Sequence, residues 1–101
     1  MSSPIKPFFK NPDAQLLTEA QRERMCRLLG TALTEIRALG WDGKHDQATA
    51  LADAFHNVPV LIWTAHFSPN HLGRQLSEYH SRFGGSGYAD YPRLLAEAVD
   101  L

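Results

Sequence analysis

Apolar positions recur at intervals of three and four along most of this chain, which is the repeat of helices with one face turned inward. Met25, Leu28, Leu29, Ala32, Leu33, Ile36 and Leu39 form the first such stripe. Thr18-Glu19-Ala20-Gln21 stands ahead of it with the spacing of a capping box, so a helix is expected near 18–39, ended by Gly40 in a left-handed cap. Glu23 stands four residues before Arg27, the spacing of a weak surface pair. A second helix, near 45–57, carries two faces. At about 100° per residue, Ala48, Leu51, Ala52, Phe55 and Val58 share one side, while His45, Asp46, Thr49, Asp53, His56 and Asn57 share the opposite arc. Asp42 or Asp46 is placed to cap it.

Pro59 removes a backbone donor and crowds the carbonyl of Phe55, which predicts a kink near Asn57 and a restart with Asn57 as cap and Pro59 in the first turn. Asn57 and Pro59 are therefore structural residues. The segment that follows, near 58–66, places Val60, Leu61, Ile62 and Trp63 in nearly every direction, as in a helix buried all round or turned on one side toward a partner. Ser68-Pro69 opens the next helix, near 69–83, with Leu72, Leu76, Tyr79 and Phe83 inward and Arg74, Glu78 and Arg82 outward. Glycines 84, 85 and 87 stop it, and Asp90 and Pro92 start a last helix near 91–100 with Leu94, Leu95, Ala98 and Val99 inward. Pro4, Pro7 and Pro12 keep residues 1–12 from forming a continuous helix and make them an extended arm, with Asn11-Pro12 placed to start a short helical turn through Leu17. The fold class is all-α, with four or five helices in one domain over residues 1–101.

Composition narrows the classes of function. The chain is 44% hydrophobic and 21% charged, with 10 Lys and Arg against 11 Asp and Glu. That balance predicts an ordinary globular protein, with no basic surface for nucleic acid and no span for a membrane. Cys26 is the single cysteine, which rules out an intrachain disulfide, and no signal-like segment opens the chain. A cytoplasmic setting is the expectation, with Cys26 on or beside the buried face as a small hydrophobe. Trp41 and Trp63 read as packing residues, with Trp63 also a candidate anchor for a partner.

The candidate chemistry sits on the polar arc of the second helix. Imidazoles and carboxylates on one face can hold a divalent metal, or pair as a base and the group that orients it. His45, Asp46, Asp53 and His56 are the residues concerned, and a closed metal site would need His66, His71 or His80 to be brought in by folding. The other reading is a solvated face, with Asp46 a cap, Asp53 and His56 a solvated or half-buried pair, and Asn57 securing the kink. No P-loop, dinucleotide glycine pattern, nucleophile elbow or paired CxxC is present.

LADAFHN, Leu51 to Asn57, resembles the L-A-D-R-L-H-N segment of the HD-domain guanosine tetraphosphate hydrolases. In those enzymes the Asp is a metal ligand, and the likeness places Asp53 in that role over about seven residues. They also draw a His and a His-Asp pair from well upstream. Here the only His-Asp pair, His45-Asp46, lies seven residues before Asp53 on the same helix. Over a longer stretch, the LADAFHNVP core and the Tyr91-Pro92 pair are similar to small bacterial helical proteins, a resemblance that implies a fold and a bacterial, cytoplasmic setting and no activity.

With catalytic constellations incomplete, the sequence points to a non-enzymatic protein without a cofactor that acts by binding itself, as a homodimer, or another protein. Phe8, Phe9, Val60, Trp63 and Phe67 are the expected interface residues. The alternative is a metal-binding or metal-dependent hydrolase-like module on His45, Asp46, Asp53 and His56.

Overall fold

Five helical segments carry the chain in the computed structural model, which describes residues 13–84 and 89–100. They are α1 (Glu19–Trp41), α2 (His45–Phe55), α3 (Val58–Leu61), α4 (Pro69–Phe83) and α5 (Tyr91–Ala98). The all-α class is as expected, and among the described residues the nearest approach to a sheet is one isolated bridge between Gln15 and Phe67. The expected proline arm with Phe8 and Phe9, and residues 85–88, lie outside the described residues.

The capping box at the start of α1 forms in both directions. Gln21 N–H donates to Thr18 Oγ1 at 3.1 Å, and Thr18 N–H donates to Gln21 Oε1 at 2.9 Å. The far end differs from expectation. Gly40 stays inside the helix, Asp42 closes it, and the left-handed backbone is taken by Gly43 at φ 75°. Glycine adopts that conformation without a steric penalty, so the reversal into α2 falls there. Neither Asp42 nor Asp46 caps α2. Lys44 occupies the cap position without a side-chain bond, and Asp46 sits in the first turn, where its charge suits the helix dipole.

Pro59 breaks the chain where expected. α2 ends at Phe55, and α3 restarts with Asn57 at its cap position and Pro59 in its first turn. The Asn57 side chain makes no capping bond. α3 is one turn long, and it does not continue to residue 66 as a segment buried all round. The chain turns away after Leu61, so Val58 and Ile62 are buried while Val60 and Trp63 face solvent. No helix forms between Asp13 and Leu17 either, because Gln15 N–H donates to Phe67 O at 2.9 Å and holds this stretch extended.

The four longer helices pack in a cycle, with α1 against α2 and α5, and α4 against α2 and α5. Met25, Leu28, Ala32 and Leu39 meet Leu51, Phe55, Leu76, Tyr91 and Leu95 in one core. Two details tie its ends. Arg24 Nε donates to Ala98 O at 2.9 Å and Gln21 Nε2 to Val99 O at 3.0 Å, which satisfies carbonyls that the end of α5 leaves open. Asp13 accepts from Ser68 Oγ at 2.9 Å and from Asn70 N–H at 2.8 Å, so a residue before α1 caps α4 together with Ser68.

The stripe of α1 is narrower than its sequence suggests. Leu33 and Trp41 were expected to pack inside and Cys26 to lie on or beside the buried face, yet all three are exposed. α2 and α5 cover the arc centred near Leu28, Ala32 and Leu39, and residues 100° or more from that arc turn outward.

Candidate functional site

The polar arc of α2 is in water along its whole length. His45, Asp46, Thr49, Asp53, His56 and Asn57 are all exposed. His45 opens the helix and His56 follows its last residue, so at 1.5 Å per residue they stand about 16 Å apart along the axis. One metal ion cannot bridge that distance, and the four candidate ligands do not form a single centre.

The C-terminal half of the arc gains new neighbours by folding. Asp53, His56, His66 and His71 line one cleft of about 160 Å³ between the end of α2, α3 and the start of α4. Folding therefore delivers two of the three histidines that a site would have needed, while His80, exposed near the end of α4, is not among the residues lining it. Sharing a cleft is not convergence, however. Among the described residues, no three His, Cys, Asp or Glu side chains come together to hold a metal ion. The cleft is also well below the roughly 300 to 1,000 Å³ of pockets that enclose small molecules. Nor is the anion-attracting start of α4 open to a ligand, because Asp13 already accepts from its Asn70 N–H.

The interior holds a polar group that the sequence reading passed over. Glu35, 6% exposed, accepts from the Tyr79 hydroxyl at 2.8 Å through Oε2 and from the Tyr91 hydroxyl at 2.9 Å through Oε1. Gln47 Nε2 donates in turn to the Tyr79 oxygen at 3.0 Å. Burial, reinforced by the bond to Glu35, pushes the Tyr91 hydroxyl far above its ordinary range. The signal was present: Glu35 lies three residues after Ala32 and four before Leu39, on the inner stripe itself. Through these bonds the Glu35 carboxylate, the two phenols and Gln47 tie α1, α2, α4 and α5 to one another, and Tyr79 also borders a cleft of about 250 Å³ beside Asp53 and Glu78.

Exposed apolar surface collects around α3. Val60 is 68% and Trp63 62% exposed, one turn apart, with Trp63 N–H donating to Val60 O at 3.1 Å. The Arg22 guanidinium lies 4.9 Å from the centre of the Trp63 ring, and its Nη1 donates to Leu17 O at 2.7 Å. Trp63 is thus held against α1 with a face still open to solvent, and exposed Leu16 adjoins the same anchor. Of the expected interface residues, Val60 and Trp63 are displayed, whereas Phe67 needs correction. It is 1% exposed, drawn into the core where its backbone pairs with Gln15.

The chain matches no known family, and comparison with curated proteins and with solved structures finds no similar one. Its surface and geometry are therefore the grounds for a functional reading. Among the described residues, no helix is long and apolar enough to cross a membrane.

Proposed function

We propose that this protein acts without catalysis, by protein-protein interaction, and that its first partner is a second copy of itself. The observation that carries the reading is the pair Val60 and Trp63, large apolar side chains displayed on a single turn, with the indole fixed on Arg22. An aromatic side chain already held in place loses little freedom on binding, which is why tryptophan anchors interfaces so often. The scattered polar arc of α2 then serves as solvated surface.

Native mass spectrometry of untagged protein over a dilution series tests this, since one spectrum reports subunit count and any retained metal. A dimer that Trp63→Ala weakens is the expected result. A strict monomer at every concentration, or a metal-loaded species that loses its metal in Asp53→Ala, overturns it.

A further inference from the structure

The outer face of α1 bears a pattern of charge that is complementary to itself when reversed. Glu19, Glu23, Gly30, Leu33, Arg37 and Trp41 recur at helical spacing on the side turned away from α2 and α5, and all six are exposed. The acids stand in the N-terminal half of this face and Arg37 in the C-terminal half. Leu33 is 57% and Trp41 86% exposed, so large apolar groups lie between and beyond the charges. At the middle, a Cβ added to Gly30 would meet nothing within 4 Å. The centre of the face is therefore open, and another backbone can approach it closely.

We infer that this face docks on the same face of a second copy of the chain, antiparallel, about a two-fold axis through Gly30. Each residue then faces the one as far beyond Gly30 as it lies before it. Glu23 of each copy meets Arg37 of the other, Glu19 meets Trp41, and Leu33 meets the aliphatic stem of Arg27. Two opposite-charge contacts arise from one by symmetry, as in any isologous interface. The parallel arrangement would set Glu23 against Glu23 and Arg37 against Arg37, so charge selects the direction. The existing Glu23 to Arg27 pair, at 3.4 Å with both side chains 69% exposed, is a solvated contact that holds Glu23 only weakly.

The inference rests on the homodimer proposed above and supplies its geometry. Arg22, which carries Trp63, lies on α1 beside this face and opposite Ala38 across the proposed axis. Trp63 of one copy thereby comes beside the C-terminal half of the other copy's α1, and the patch on α3 and the face of α1 become one continuous surface.

Charge reversal and cross-linking test it together. Glu23→Arg and Arg37→Glu should each weaken the dimer by about tenfold or more, and the double variant E23R/R37E should return it to within about threefold of the parent. Gly30→Cys in a Cys26→Ser background should oxidise to a disulfide-linked dimer faster than Ser77→Cys in the same background, because only thiols near the axis come within bonding reach. A dimer that ignores both charge reversals, or a Gly30→Cys variant that links no faster than the control, overturns the geometry while leaving the homodimer standing. A strict monomer overturns both.

Discussion

Two polar regions of this protein contrast sharply: the arc of α2 that ends in the histidine cleft, and the buried group around Glu35. The first holds most of the residue types that suggest chemistry, yet it is exposed and its two ends lie about 16 Å apart. The second holds one carboxylate, two phenols and an amide, and their oxygens and nitrogens meet at 2.8 to 3.0 Å. Polar groups in water cost nothing to leave apart. Polar groups removed from water must find partners, so burial and not residue type marks where the fold is specified.

The contrast can be broken most forcefully at Glu35. Glu35→Ala removes the carboxylate to which both hydroxyls donate and opens a cavity, and should cost about 3 kcal/mol or more in chemical denaturation. A loss under about 1 kcal/mol would show that the group contributes little to folding. Tyr91→Phe removes one bond while keeping the ring packed edge-on against Phe55, and should cost about 1 to 2 kcal/mol at neutral pH. It should also change the alkaline limb. Because folding raises the Tyr91 pKa, its contribution is complete below the ordinary value of 10.0 and fades as pH rises beyond it, so the parent should lose stability above pH 10 more steeply than Tyr91→Phe.

Asp13 provides an intermediate case, a surface carboxylate with defined partners. Burial pushes its pKa up, but the bonds from Asn70 N–H and Ser68 Oγ outweigh that and hold it below its ordinary value of 3.8. Its stabilisation is therefore present above pH 3.8 and fades as the pH falls through the lowered value. Asp13→Ala should cost about 1 kcal/mol at neutral pH, as for a lost helix cap, and should flatten the acid limb of the stability profile. The smallest effect belongs to the α2 arc. Asp53→Ala should leave the melting transition within about 0.5 kcal/mol of the parent, and a larger loss would give the cleft a structural role that its exposure argues against.

Much of this architecture was legible in the residues. The capping box at Thr18 and Gln21, the break at Asn57 and Pro59, the Ser68 cap and the inner stripe of α4 all depend on neighbours within a few positions, so local chemistry suffices to place them. Errors arose wherever the answer depended on which element came to lie alongside. Leu33, Cys26 and Trp41 repeat at spacings consistent with a core face, but α2 and α5 cover a different arc of α1. Phe67 looks like surplus apolar surface until the 13–17 stretch folds back over it.

The candidate site divides in the same way. That His45, Asp46, Asp53 and His56 share one side of a helix is a consequence of 3.6 residues per turn, and the sequence alone determined it. Whether those side chains meet, and that His66 from the turn after α3 and His71 from α4 join them, depended on the path taken after Pro59. Sequence likewise determined that α1 would be long and amphipathic, through the spacing of its apolar residues. Only tertiary structure decided that Glu35 would be enclosed by Tyr79, Tyr91 and Gln47, and that Val60 and Trp63 would stand in water. Partners distant in the chain cannot be read from local periodicity, because burial is a property of the surfaces that finally meet.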